Sequence, residues 1–272
     1  MIKAAVLGSP IGHSLSPTLH NCAYEVLGWD WEYTAVEVKG GELEKFIAAN
    51  RKTFRGLSLT MPLKEEALLV ADSLDPLVKR INAANTLIFD ENEVSAFSTD
   101  VSGFVQALAK AEVSIPNEIT ILGGGATARS AIAAVDGRGR TITVYSRSAS
   151  RSAQLINSSI SATVVVKDWT EAQSGLGANL VIATTPTGAT DHLIPTESAA
   201  SNGTLFESLY SPWPTKLLAK WQGVGGKYLD GLDLLVEQGI GQIELMSYEP
   251  LNLDLRSLAV TMRAAGLQKL GY

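Results

Sequence analysis

Residues 119–131 read ITILGGGATARSA, and this stretch decides the fold. An apolar run over 119–122 stops at Gly123, Gly124 and Gly125, and Ala126 opens a segment of helix-forming composition. Strand, glycine turn and helix in that order open a dinucleotide-binding βαβ unit. The spacing fits G-x-G-x-x-A, with Gly123, Gly125 and Ala128 at the small positions. Gly123 permits a tight turn, Gly125 lets the backbone approach a pyrophosphate, and Ala128 lets helix and strand pack closely. The first N–H groups of the helix have no partner within it and carry partial positive charge, so they favour a phosphate. A plain turn between strand and helix would use the same residue types, so the choice falls to the rest of the chain.

Composition narrows it. The 272 residues suffice for two packed domains. A hydrophobic share of 46% with 18% charged residues belongs to a globular chain rather than a disordered one. The net charge of −6, with no run of Lys or Arg, argues against a nucleic-acid partner. It also means that an acidic substrate would need a local set of donors. The single cysteine, Cys22, excludes an internal disulfide and fits a reducing, cytoplasmic setting. Cys22 lies in an apolar helical pattern and reads as core packing. No apolar run is long enough to span a bilayer, and the run at 4–7 stops at Gly8-Ser9-Pro10, unlike a signal peptide.

Outward from the glycine turn, both flanks alternate strands and helices. Upstream, residues 3–7 read as a buried strand running into the loop GSPIGHSLSPTLHN. Ser16 is expected as an N-cap with Pro17 at the first helical position, and Gly28 ends that helix. A strand over 32–38, a helix over 42–49, a strand over 56–59 and a helix over 64–71 follow. Paired strands over 83–89 and 93–97 flank Asp90-Glu91-Asn92, and 101–111 is helical. Downstream, strands over 141–145, 162–166, 180–184 and 204–207, with helices over 149–157 and 215–221, give a doubly wound parallel sheet. Residues 227–229 fit a last short strand. Helices over 231–246 and 251–267 are expected to return to the first domain. The expected plan is α/β with two domains: 1–103 plus about 240–272 for substrate, and 104–239 for a Rossmann-type dinucleotide unit.

Ligands in open α/β sheets bind beyond the carboxyl ends of strands. Ser14 and Ser16 follow the first strand, Thr60 and Lys64 the third, and Asn85 and Asp100 stand near later ones. A lysine and an aspartate brought together there could share proton transfer; burial lowers the lysine pKa and a nearby carboxylate raises it. Read plainly, Lys64 is a solvated residue at a helix start and Asp100 an N-cap.

The motifs taken in order resemble the shikimate dehydrogenase family. GSPIGHSLSPTLHN at 8–21, GLSLTMPLK at 56–64, NAANTL at 82–87 and STDVSGF at 98–104 precede the glycine turn. YSRSASR, TTPTG, LYSPWPTKLL and GLDLLVEQG follow it. The resemblance implies reversible, NADP-dependent reduction of 3-dehydroshikimate to shikimate in aromatic amino acid biosynthesis. By the same resemblance Ser14 and Ser16, with Tyr210, hold the substrate carboxylate through hydroxyls. Thr60, Asn85 and Gln238 bond the ring hydroxyls. Lys64 is the general acid/base, and Asp100 orients both the lysine and a hydroxyl. His13 and His20 are then structural, because the Lys–Asp pair fills the proton-transfer role. Cofactor contacts are implied at Gly123, Gly124, Gly125, Ala126, Ser146, Arg147, Ser148, Arg151, Thr185 and Gly231. No metal is implied, and the partner is a small molecule, with no nucleic acid or membrane; the chain is expected as a monomer or homodimer.

Cofactor choice can also be argued from the residues. NAD-binding units usually end the second strand in Asp or Glu, which bonds the ribose 2′-OH. Here Ser146-Arg147-Ser148 stands in that place with Arg151 one turn on, and a 2′-phosphate dianion suits guanidinium groups. This gives NADP, unless the arginines are only surface charge.

The chain departs from the family pattern at Ser58 and Ser98, where asparagine is usual, at Leu234, where methionine is usual, and over 243–248. Shorter side chains at 58 and 98 are expected to leave room for water or a bulkier ring. That keeps open a quinate/shikimate dehydrogenase or a paralogue for another cyclic hydroxy acid. The Ser14/Ser16 loop favours shikimate. Lys64 and Asp100 argue against a non-catalytic NADP-binding regulator, and the same loop speaks against a folate-linked dehydrogenase.

Overall fold

The computed structural model describes residues 1–91 and 93–272; Asn92, in the turn read from the sequence, lies outside the described residues. The chain forms two compact units, one of residues 1–99 and 235–272 and one of residues 100–234.

The first unit holds a mixed six-stranded sheet in the order β2-β1-β3-β5-β6-β4. Its strands are β1 (Ile2–Gly8), β2 (Trp31–Glu37), β3 (Gly56–Leu59), β4 (Ser73–Leu74), β5 (Thr86–Phe89) and β6 (Val94–Phe97). β1 lies between β2 and β3, parallel to both, and β3, β5 and β6 pair antiparallel in turn. One face of the sheet packs an aliphatic core that includes Leu7, Leu57, Leu59, Leu63, Leu87 and Phe89. The helices of this stretch are α1 (Ser16–Leu27), α2 (Leu43–Asn50), α3 (Ala67–Val70) and α4 (Pro76–Ile81).

α1 begins one residue earlier than the sequence suggests. Leu15 is its N-cap, Ser16 is its first residue, and the Ser16 N–H is met by the Ser14 hydroxyl at 3.3 Å. Its other end is as expected, with Gly28 left-handed at φ 68°. α3 is only four residues long, because 61–66 is a series of turns rather than helix. α4, capped by the Asp75 side chain on the Leu77 N–H, was not foreseen.

The second unit is a fully parallel sheet in the order β12-β11-β10-β7-β8-β9. Its strands are β7 (Glu118–Leu122), β8 (Thr141–Ser146), β9 (Thr163–Asp168), β10 (Leu180–Ala183), β11 (Thr204–Glu207) and β12 (Lys227–Leu229). Read from β9, this is the 3-2-1-4-5-6 order of a doubly wound dinucleotide fold, with the direction of winding reversing between β7 and β10. Its helices are α5 (Asp100–Lys110), α6 (Ala126–Ala134), α7 (Ser152–Asn157), α8 (Glu197–Asn202) and α9 (Lys216–Gly223).

α10 (Gly231–Met246) starts in the second unit and ends in the first, and α11 (Leu255–Leu270) packs on α1. The C-terminal helices thus return to the first unit. Cys22 sits at that α1–α11 contact, its Sγ 3.9 Å from the Thr261 carbonyl, and burial pushes its thiol pKa up. Among the described residues no helix is long and apolar enough to cross a membrane.

Candidate active site

In the first unit the carboxyl ends of β1 and β3 are held side by side. The Thr60 N–H donates to the Leu7 carbonyl at 2.9 Å, and the Ser9 N–H donates to the Met61 carbonyl at 3.0 Å. A side chain at Gly8 would strike the Thr60 methyl, so this approach needs a glycine. The turns that carry Lys64 are pinned twice. The Lys64 carbonyl accepts from the Ala84 N–H at 2.8 Å, and the Glu66 carboxylate accepts from the Gly41 and Leu43 N–H groups at the start of α2. The loop that carries Ser14 and Ser16 therefore leaves the same end of the sheet as the turns that carry Thr60 and Lys64, and Ala84 and Asn85 lie at that end. Asp100 lies in the other unit, as the first residue of α5, and is buried.

At that end lies a buried polar network. The Asn85 amide donates to Thr99 Oγ1 at 2.9 Å and to Gln238 Oε1 at 3.1 Å, and its Oδ1 accepts from the Thr99 N–H and the Thr86 hydroxyl. The Gln242 amide donates to the Asn85 carbonyl and to Thr86 Oγ1, each at 3.2 Å. α10 thus delivers Gln238 to Asn85 across 153 residues of sequence. Gln242, one turn further along the same helix face, was missed; only its i+4 spacing from Gln238 hinted at it.

The expected vacancy at Ser58 is not there. Ser58 is 3% exposed, and its Oγ accepts from the Tyr33 hydroxyl at 2.6 Å, so a tyrosine from β2 occupies the space that a shorter side chain leaves. The Tyr33 ring stacks on His20, with centroids 3.9 Å apart. His20 is fully buried, and that burial lowers its pKa from 6.5 to about 4, so the ring is neutral and Nδ1 donates to the Ser16 carbonyl at 2.9 Å. His13, by contrast, is exposed in the loop before α1.

In the second unit the glycine turn sits where the winding reverses. Gly123 has φ 119°, and a Cβ there would come 2.6 Å from Thr184 Oγ1, which donates to the Leu122 carbonyl. A Cβ on Gly124 would strike Ser146 Oγ, so the middle glycine is also required by close approach. Gly125 is the N-cap of α6, no side chain caps that helix, and Ala128 is fully buried against the sheet. Arg151 reaches over this turn, its Nη1 donating to the Gly124 carbonyl at 3.4 Å. Arg147 and Arg151 are exposed, Ser148 is half-buried, and the buried Ser146 accepts from the Ser148 N–H at 3.2 Å. Uncapped helix N–H groups beside Arg151, with the exposed Arg147 and no carboxylate at the end of β8, are a donor set that fits a phosphorylated dinucleotide. Thr185 is buried just past β10, and Tyr210 is half-buried past β11. Gly231 lies hard against the Ser208–Leu209 backbone, which accounts for a glycine at that position by packing.

Comparison with known proteins agrees with this fold. Residues 6–87 match the family model of the shikimate dehydrogenase substrate binding domain. A Methanosarcina acetivorans protein named shikimate dehydrogenase (NADP(+)) is 38% identical over 254 residues, covering 88% of this chain and 90% of that protein. The chain belongs to the shikimate dehydrogenase family. A Thermus thermophilus relative of the same name is 32% identical over 88% of this chain. Among solved structures of the family, the Mycobacterium tuberculosis shikimate dehydrogenase superposes with a TM-score of 0.83 at 30% identity, covering 97% of this chain and all of that one. The Thermus thermophilus shikimate 5-dehydrogenase in complex with NADP(H) and shikimate superposes at 0.81 and 30% identity, covering 97% of this chain and all of that one.

Three buried or tightly bonded charged groups in the second unit of this family member were not foreseen. Glu207, at the end of β11, is 1% exposed. Burial raises its pKa from 4.5 to about 7, against the Leu209 N–H, the Thr215 hydroxyl and the Ser208 N–H. Arg129 is fully buried in α6 and donates to Gln154 Oε1 at 3.3 Å. At Asp136 burial would raise the pKa, but the Ile160 N–H, the Ser159 hydroxyl and the Ala162 and Ser161 N–H groups hold it at about 2. Each forms its bonds with residues distant in sequence or in a neighbouring loop, which periodicity does not reveal.

Proposed function

We propose that this chain reversibly reduces 3-dehydroshikimate to shikimate with NADP as its cofactor, the first unit taking the acid and the second the dinucleotide. One observation carries the reading: the loops at one end of the first sheet carry Ser14, Ser16, Thr60 and Lys64, and the bonded pair Asn85 and Gln238 lies at the same end. That end offers neutral hydroxyl and amide donors and a lysine, which suits a hydroxylated ring acid. In this reading the Ser14 and Ser16 hydroxyls hold the carboxylate, and Thr60, Asn85 and Gln238 meet the ring hydroxyls. Lys64 gives a proton to the carbonyl oxygen as it becomes a hydroxyl, and takes one back in the reverse direction. Asp100 accepts from a ring hydroxyl. When bound, the reduced cofactor supplies the hydride. The N–H groups after Gly125 hold its pyrophosphate, and Arg147 and Arg151 meet its 2′-phosphate.

With Tyr33 filling the space beside Ser58, that position gives no extra room for the saturated ring of quinate. A cytoplasmic location and a monomeric or homodimeric state belong to the same proposal. The test is to mix purified protein with shikimate and NADP and follow reduced nicotinamide together with 3-dehydroshikimate. Equal amounts of both are expected, and absence of turnover overturns the reading.

A further inference from the structure

The Tyr33–Ser58 pair carries more than a filled gap. Both residues are buried, Tyr33 to 1% exposure and Ser58 to 3%, the latter comparable with Ser16 at 5% and Asn85 at 2%. The Tyr33 hydroxyl spends its proton on Ser58 Oγ at 2.6 Å. Among the described residues, the Ser58 hydroxyl then has no protein acceptor for its own proton. A buried donor without an acceptor costs free energy, and such groups in native proteins usually have a reason. Ser58, on β3, stands in register with Thr86 on β5 and two residues before Thr60, which follows the strand. Alternate strand residues share a face, so the spare proton belongs to the face that also carries the Thr86–Gln242 bond.

The other end of the tyrosine is fixed as firmly. Its ring lies on His20 at an interplanar angle of 17°, and His20 is bonded to the carbonyl of Ser16, the residue that opens α1. One buried aromatic pair therefore joins the start of α1, with its serines, to the middle of β3.

We propose that Tyr33 is a positioning residue for the reaction: by donating to Ser58 Oγ it turns the Ser58 hydroxyl into a donor aimed at a ring oxygen of the substrate. This inference rests on the acid being bound at the Ser14–Lys64 end of the first unit's sheet.

The test is a double-mutant cycle of Tyr33→Phe, Ser58→Ala and the pair, with KM for shikimate, KM for NADP, kcat and thermal midpoint measured for each. Tyr33→Phe keeps the ring and its stack on His20. Each single change is expected to raise KM for shikimate about three- to tenfold, the loss of one neutral hydrogen bond, and to leave KM for NADP unchanged. The pair should be no worse than the worse single variant, because both changes remove one contact. Multiplying effects, an unchanged KM for shikimate in Tyr33→Phe, or a parallel rise in KM for NADP would overturn the proposal. Should Tyr33→Phe lower the thermal midpoint so far that little folded enzyme remains, Ser58→Ala decides alone, and an unchanged KM there also overturns it. If the wild type fails to oxidise shikimate with NADP, the functional reading falls, and this inference with it. If the wild type is active and the cycle is additive, only the role of Tyr33 falls.

Discussion

In the proposed reading the two units recognise their anions in opposite ways. The first strand of each unit is largely buried and runs into a glycine, Gly8 as the last residue of β1 and Gly123 just after β7, and each unit keeps candidate polar groups in the loops that follow. In the second unit the donors are backbone N–H groups at the start of α6, and the side chains there are kept small so that the turn can close. In the first unit the proposed donors are side chains: the hydroxyls of Ser14, Ser16 and Thr60, the Asn85–Gln238 pair and Lys64. A backbone cradle reads phosphate and little else. A set of hydroxyls and amides reads the positions of oxygens on a ring. The difference implies that the first unit should be sensitive to the chemistry of single side chains, and the second to the shape of its turn and the charge at its rim.

The largest expected effect strikes the first unit. Lys64→Ala should lower kcat about 10²- to 10⁴-fold, the usual range for losing a general acid/base, with KM for shikimate changed far less. A rise in KM at constant kcat would make Lys64 a binding group only and weaken the contrast. In the second unit, Arg147→Ala should lower the preference for NADP over NAD about 10- to 100-fold, the value of a charged hydrogen bond, with NAD use little changed. An unchanged ratio would leave the rim without a phosphate clamp. Gly124→Ala forces a methyl onto Ser146 Oγ. Overpacking of this kind costs about 1–3 kcal/mol, and the change should raise KM for NADP about tenfold while KM for shikimate stays level. If both constants rise together, the two units do not divide the ligands as proposed.

The smallest effect is on stability. The Glu207 carboxyl has a folded pKa of about 7 against an ordinary 4.5. The folded state therefore binds its proton more tightly than the unfolded chain does. The stabilisation is complete below about pH 4.5 and is lost as pH rises through about 7. Glu207→Gln removes that titration, so its thermal midpoint should fall less than the wild type's between those two values. Parallel profiles for the two proteins would contradict the assignment.

The same contrast governs what can be read from the sequence. The second unit is local: strand, glycine turn and helix start follow one another within residues 119–131, and the strand order continues from that start. Its misses are short pieces without a period, such as α8 and the 3₁₀ turns over Trp169–Gly177. In the first unit the resemblance supplied the site residues, but the contacts that support them come from far apart. Gln238 stands 153 positions from Asn85 in the sequence, and Tyr33 reaches Ser58 from a different strand. Ser58 alone looked like a gap, because the residue that fills it lies 25 positions away. A composition or a spacing carries no trace of such a pairing, and only the packed sheet brings it out.

The most direct measurement is kcat/KM from one purified preparation for shikimate and quinate, each with NADP and with NAD. The account predicts that shikimate with NADP stands highest, that replacing the acid costs activity with either cofactor, and that replacing the cofactor costs activity with either acid. Turnover of quinate equal to or better than shikimate, equal use of NAD, or no turnover of any pair would contradict it.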